Sequence, residues 1–151
     1  MVLSLMFFKR TLILFWAVWW LIAFLTDLGG AMFQLGWFGE NWLPHSNYPY
    51  LVKTIALYDP PRFLAPLLFA GIICWSFLSA VFFVRAVLTP PVRKDVWMAR
   101  VNNAFIISLG LWLAFFTADQ IVMQFDLEQN HMVQAGFQLL TFLAIHTLPD
   151  T

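Results

Sequence analysis

The sequence predicts an all-α integral membrane protein, one domain folded as a bundle of four transmembrane helices. Hydrophobic residues make up 62% of the chain and charged residues 11%, whereas soluble domains carry about 25% charged residues. The mean hydropathy is +0.78. Four apolar segments are long enough for a span, which takes roughly 20 residues. They cover about residues 11–28, 63–88, 96–125 and 131–148 of the domain 1–151.

The basic residues predict the orientation of these spans. With four helices, most Lys and Arg side chains fall at one end of the bundle, and the positive-inside rule then places both termini in the cytoplasm. We therefore expect a multi-pass protein of a bacterial cytoplasmic (inner) membrane. The formal net charge of zero gives no support for a nucleic-acid partner. Lys9, Arg10, Arg85, Arg93, Lys94 and Arg100 share the inner end, against Lys53 and Arg62 outside.

The first predicted helix, about 11–28, carries three tryptophans in mid-span. Trp16, Trp19 and Trp20 stand away from the headgroup level at which interfacial tryptophans concentrate. They are expected to pack against neighbouring helices, a partner chain or a ring-shaped ligand, although simple lipid-facing bulk explains them equally well. Gly29 and Gly30 predict the end of this helix.

The outer loop, residues 29–62, is aromatic rather than a polar linker. Tyrosine and tryptophan prefer the boundary between membrane and water. Within the loop, the apolar spacing of "YLVKTIALY" predicts a short amphipathic helix over residues 47–58, lying in the interface plane. We expect the loop to cover the outer end of the bundle as a cap, or to form a docking face.

Polar side chains on the third and fourth helices predict a buried polar region. Asp119 lies about two turns inside the outer end, where an unpaired carboxylate is costly, so a partner is expected: Arg62, His131 or an indole N–H. On the fourth helix a polar ladder falls on one face and should point into the bundle. The ladder is His131, Gln134, Gln138 and Thr141, and Gln134 and Gln138 are expected to meet helix three near Gln120 and Gln124.

Three interpretations of the ladder stay open. The amides and Thr141 can hold the helices in register through hydrogen bonds. Alternatively, Gln120, Gln124, Gln134, Gln138 and Thr141 line a ligand site for a quinone, a lipid headgroup or a small polar substrate. In that case Asp119 and His131 are the catalytic candidates, since a histidine beside a carboxylate can pass protons. The third interpretation is an inserted partner protein.

The histidines argue against haem and leave one weak metal set. Positions 131 and 146 are about 22 Å apart along one helix, and the other predicted helices contain no histidine, so a bis-histidine haem is not expected. His45 from the loop could join His131, Asp126 or Glu128 on a metal ion. Beyond a bound lipid or quinone, the sequence indicates no cofactor.

These observations predict a non-catalytic accessory subunit of a larger membrane complex, such as a respiratory or other electron-transfer assembly. Its partners would be other integral membrane subunits and lipids. The alternative is a small membrane enzyme or carrier that binds a quinone or lipid-like ligand between helices three and four. Asp119 and His131 would then perform its chemistry.

Overall fold

A computed structural model of the chain describes residues 4–37, 39, 46–90 and 92–149. This part of the chain is entirely helical and contains no strand. It contains five α-helices, and a 3-10 turn, η1, follows the second helix. In chain order they are α1 (Leu5–Gln34), α2 (Asn47–Ile55), η1 (Ala56–Tyr58), α3 (Leu64–Val87), α4 (Lys94–Ile121) and α5 (Phe125–Thr147).

Three of these helices, α1, α3 and α4, are long and apolar enough to cross a membrane. The predicted class of helical membrane protein is thus confirmed at that level. The fifth helix, α5, has 23 residues but does not join this set, since the ladder lowers its hydropathy. The four-span count and the cytoplasmic termini stay predictions.

The four long helices pack in sequence order, α1 on α3, α3 on α4 and α4 on α5. The helix α2 lies against α1 and α3. We call the end that holds Arg10, Arg85 and Arg100 the basic end, and the end that holds α2 and the α4–α5 turn the cap end. Bulky side chains fill the core between them, among them Ile13, Trp16, Trp20, Phe83, Trp97, Phe105 and Trp112.

The first helix is longer at both ends than the predicted 11–28. It begins at Leu5, where the Ser4 hydroxyl oxygen caps it by accepting a hydrogen bond from the Phe7 N–H at 3.2 Å. At the other end it continues through Gly29 and Gly30, both buried. The prediction that these glycines end the helix is wrong. A glycine costs a helix about 1 kcal/mol, a small penalty beside the burial of this segment.

The turn between α4 and α5 lies earlier than predicted. The sequence pattern extends helix three to residue 125 and begins helix four at 131, whereas α4 ends at Ile121 and α5 begins at Phe125. Met123 turns the chain with a left-handed φ of 54°. The acids Asp126 and Glu128 consequently lie in the first turn of α5, where carboxylates favour the positive end of the helix dipole.

The predicted short helix over 47–58 is confirmed as a helix, in the form of α2 followed by η1. Two side-chain hydrogen bonds tie it to the long helices. The Asn47 amide donates to Asp27 Oδ1 at 2.7 Å, and the Tyr58 hydroxyl donates to the Ile121 carbonyl at 2.5 Å. Its placement in a membrane interface stays a prediction.

Candidate functional site

Asp119 and His131 form a pair at the cap end of α4 and α5. His131 Nδ1 lies 2.5 Å from Asp119 Oδ2. The side chain of Asp119 is 6% exposed and that of His131 is 18% exposed. Their predicted proximity is confirmed, and His131 is the partner that the Asp119 carboxylate requires among the three that were expected.

The turn between the two helices brings this pair together. The Gln124 N–H donates to the Asp119 carbonyl at 3.0 Å, and the Val122 N–H donates to the Ala118 carbonyl at 2.9 Å. The chain therefore reverses immediately beside Asp119. Helix α5 then runs back along α4, which places His131, in its second turn, opposite the Asp119 side chain.

Two aromatic rings fix the orientation of the imidazole. The Phe115 ring stacks on His131 with centroids 4.7 Å apart and planes at 15°. The Trp112 ring contacts it at 5.7 Å and 44°. With Nδ1 held by Asp119, the remaining nitrogen, Nε2, forms no hydrogen bond to the part of the chain that the structure describes. This ring is positioned by its neighbours and keeps one functional atom free.

That free nitrogen can serve two kinds of oxygen. When Nδ1–H donates to an ionised Asp119, Nε2 of the neutral ring accepts a hydrogen bond from a hydroxyl. The imidazolium form instead donates from Nε2 to a carbonyl oxygen. The His131 ring can therefore hydrogen-bond to either a hydroxyl or a carbonyl oxygen of a ligand.

A second polar cluster lies deeper in the bundle around Gln138. The Trp112 indole N–H donates to Gln138 Oε1 at 2.6 Å. Gln138 Nε2 donates to Ser108 Oγ at 2.8 Å, and Ser108 Oγ donates to the Phe105 carbonyl at 3.3 Å. Gln138 is fully buried, so its predicted interior position is confirmed.

The predicted meeting of the ladder with Gln120 and Gln124 is wrong. Gln120 is exposed, because it stands about 100° around the helix from the inward-facing Asp119. Gln124 is half-buried and precedes α5 without a side-chain cap. Gln134 is half-buried and donates to Asn130 Oδ1 on its own helix at 3.2 Å.

Thr141 is buried as expected, yet it makes no bridge to α4. Its hydroxyl donates to the Phe137 carbonyl one turn back at 2.8 Å. Such a bond satisfies a buried hydroxyl within its own helix. Of the five predicted ligand-binding residues, only Gln138 has a described side-chain bond to the neighbouring helix.

Sequence reasoning missed the residues of α4 that complete both clusters. Ser108, Trp112, Phe115 and Asp119 recur at helical spacing on one face. That period was the available signal, because it aligns the Ser108 hydroxyl, the Trp112 indole N–H and the Phe115 ring with the carboxylate of Asp119, which the sequence had already singled out. It was obscured by the apolar residues around it.

The candidate metal set is not assembled in the described part of the chain. No group of three His, Cys, Asp or Glu side chains that could hold a metal ion occurs there. Asp126 is exposed and Glu128 is half-buried, while the only described ligand-type partner of His131 is Asp119. His45 lies outside the described residues.

A tryptophan cluster adjoins the pair, formed by Trp16, Trp19, Trp20 and Trp112. Its ring centroids are 4.8 to 5.8 Å apart. The mid-span tryptophans of α1 thus pack against a neighbouring helix. The indole N–H groups of Trp16 and Trp20 are buried without a hydrogen-bond partner, an arrangement rare in protein interiors.

Helices α1 and α5 approach each other through ring contacts. Phe137 contacts Phe15 and Trp16, with centroids 6.2 and 5.8 Å apart. From Phe137 toward the cap end, the described residues of α1 and α5 share no hydrogen bond or ring contact. His131 lies in that stretch of α5.

No protein-family model, no curated protein and no solved structure matches this chain.

Proposed function

We propose that α5 is a fourth span and that both termini are cytoplasmic. At 1.5 Å per residue, α5 is about 35 Å long, enough for a hydrocarbon core of about 30 Å. Its polar ladder turns inward at Gln138 and Thr141, while its other side carries exposed apolar residues. These are Met132, Val133, Phe137, Leu139, Leu140 and Leu143.

The orientation is tested with reporters fused at the end of the chain. A fluorescent protein fused after Thr151 should be bright, and a phosphatase that is active only in the periplasm should be inactive there. An active phosphatase would mean either that the orientation is reversed or that the number of spans is odd, and either result would overturn the proposed topology.

Within this bundle, we propose that the protein binds a small ring-shaped molecule of the quinone type through a hydrogen bond to His131, whose ring Asp119 holds in place. The observation that carries the proposal concerns His131, which is partly exposed and has one nitrogen held by a buried carboxylate, while its Nε2 has no hydrogen bond to the described residues. A pair that served only to join two helices would gain nothing from keeping one nitrogen accessible.

The surroundings suit such a ligand. Phe115 and Trp112 offer aromatic faces beside the imidazole, and ring-shaped ligands stack on such faces. A quinone carbonyl accepts a hydrogen bond from the imidazolium, and the reduced hydroxyl donates one to the neutral ring. Because such molecules dissolve in the bilayer, the proposal includes a lateral approach of the ligand to His131 from the membrane.

The binding test uses purified full-length protein in mild detergent and a short-chain benzoquinone, followed by quenching of tryptophan fluorescence. His131→Gln should weaken binding about tenfold or more, since a hydrogen bond to a charged group is lost. His146→Gln is the matched control, because His146 is an exposed histidine at the other end of α5. Equal binding by both variants and the unaltered protein would refute the site.

A role as an accessory subunit of a larger membrane complex is the second candidate. It is favoured by large apolar side chains exposed at the cap end, because apolar patches of this kind mark contact with another protein or with a membrane. Native mass spectrometry after gentle extraction separates the two candidates: a large co-purifying complex supports the subunit, whereas a single chain retaining a small molecule supports the carrier. The exposed side chains are Leu35, Trp37, Leu57, Tyr58 and Phe63.

A further inference from the structure

At the basic end, two arginines from different helices converge on one residue. Arg10 of α1 donates from Nη2 to the Thr89 carbonyl at 2.6 Å. Arg100 of α4 donates from Nη1 to the Thr89 hydroxyl oxygen at 3.0 Å and to the Arg85 carbonyl at 3.2 Å. Thr89 is buried. The two guanidinium groups are thus held near each other by a fixed piece of backbone.

These positive charges have no described counter-charge. Neither Arg10 nor Arg100 forms an ion pair within the part of the chain that the structure describes, and Asp95, a nearby acid at the start of α4, is exposed. Two cations that share neutral acceptors repel each other, more strongly where water is scarce. An anion between them would remove this repulsion.

Two buried donors at the same place lack acceptors. Arg10 Nε and the Trp97 indole N–H are buried and make no hydrogen bond to the part of the chain that the structure describes. They are neighbours, because the Arg10 guanidinium carbon lies 5.5 Å from the centre of the Trp97 ring. Trp97 is 2% exposed. A buried donor without an acceptor is costly and calls for a ligand or a water molecule.

We propose that Arg10, Arg100 and Trp97 bind the phosphate group of an anionic phospholipid at the basic end of the bundle. A guanidinium matches the oxygens of a phosphate through parallel N–H groups. The site lies where three apolar helices reach the headgroup level, and basic pockets between membrane helices bind such headgroups. The N–H groups of Arg10 and Trp97 that have no described acceptor would donate hydrogen bonds to the phosphate. Surface charge alone would not provide such directed contacts.

The experiment measures retained lipid on the full-length protein. Protein stripped of lipid is mixed with phosphatidylglycerol or phosphatidylcholine in detergent, and native mass spectrometry counts bound molecules. One phosphatidylglycerol should be retained in preference to phosphatidylcholine. Arg10→Gln and Arg100→Gln should each lower that affinity about tenfold. Arg93→Gln, an exposed arginine at the same end, removes the same charge and should leave it within about twofold.

A second experiment uses inorganic phosphate to determine whether the bound phosphate group belongs to a lipid or to a free phosphate ion. If phosphate binds with the same dependence on Arg10 and Arg100 while phosphatidylglycerol does not, the site takes a free phosphate and the lipid is overturned. If Arg93→Gln lowers lipid binding as much as Arg10→Gln, the attraction is unspecific and the site is overturned.

Two variants that retain both positive charges serve as controls for a folding defect. Arg10→Lys retains the positive charge but removes the Nε donor, and Trp97→Phe removes only the indole N–H. Each should retain its helical circular dichroism and lower phosphatidylglycerol affinity by about threefold to tenfold. Unchanged affinity in both variants would refute the proposed contacts.

Discussion

Two polar residues on the same face of α5, Gln138 and His131, are handled in opposite ways. Gln138 is fully buried, and both ends of its amide are bonded, to Trp112 and Ser108. His131, two turns nearer the cap end, is 18% exposed and has one nitrogen bonded, to Asp119. The same helix thus carries one closed polar cluster and one open cluster.

The difference separates what holds the bundle together from what the bundle can offer to a ligand. A buried amide whose oxygen and nitrogen are both hydrogen-bonded makes a core more rigid, and neither atom is then available to a ligand. The imidazole of His131 has a buried carboxylate on one side and a second nitrogen without a hydrogen bond to the described residues, so it keeps a group that a ligand could contact. The comparison therefore predicts stability defects at Gln138 and binding defects at His131.

The largest effect should come from placing a charge in the closed cluster. We expect Gln138→Glu to lower the free energy of unfolding by about 3 kcal/mol at neutral pH, because an ionised carboxylate there has no described cation beside it. Thermal unfolding in detergent measures the loss. Gln134→Glu, one turn away and half-buried, is the control and should lose about 1 kcal/mol or less. Similar losses in Gln138→Glu and Gln134→Glu would show that the Gln138 cluster is not closed to water.

The next effect concerns the bond between Gln138 and Trp112. Gln138→Leu should cost about 1–2 kcal/mol, because the indole N–H stays buried without its acceptor. Trp112→Phe removes the donor instead. In the double variant the losses should fall short of their sum by about 1 kcal/mol, the coupling of a direct contact. Strict additivity would mean that the 2.6 Å contact contributes nothing to stability.

The sequence made α5 more predictable than its partner. Polar residues at helical spacing in an apolar segment stand out, so the inward positions of Gln138 and Thr141 followed from the period. Helix α4 carries apolar residues on most of its surface. The rotation of such a helix about its axis is set by packing against its neighbours, which no single residue in the sequence indicates. Gln120 was expected inside with Asp119, although adjacent helical residues diverge by about 100°.

The short helix and the glycines show the same limit. The spacing of the apolar residues within 47–58 was sufficient to predict α2, since the period of an amphipathic helix is a local property of the sequence. Gly29 and Gly30 suggested a stop, because glycine commonly follows helix ends. Their continuation in α1 depends on burial by distant parts of the chain, which a local pattern does not contain. The contacts of Arg10 and Arg100 with Thr89 could not be predicted for the same reason, because they join distant parts of the chain.

A smaller effect on stability is expected at the open cluster. Asp119→Asn keeps an acceptor for His131 Nδ1, so unfolding should change by about 1 kcal/mol or less, while benzoquinone binding should fall because the imidazolium loses its counter-charge. Asp126→Asn, an exposed carboxylate in the first turn of α5, is the control and should bind normally. A loss of stability as large as that of Gln138→Leu, with binding unchanged, would make both clusters structural.

The smallest effect should come from Tyr58→Phe, which tests whether the cap end limits the opening at His131. The Tyr58 hydroxyl holds η1 to the Ile121 carbonyl at 2.5 Å, two residues beyond Asp119, and Tyr58 is itself exposed. Removing an exposed hydrogen bond costs about 0.5 kcal/mol, too little to alter global unfolding. It should instead raise amide hydrogen exchange across the α4–α5 turn, since local openings are governed by such ties. Exchange near Gln138 should stay unchanged, because that cluster is closed by its own partners. An equal rise at both places would mean that the two clusters open together, and the contrast between them would not hold.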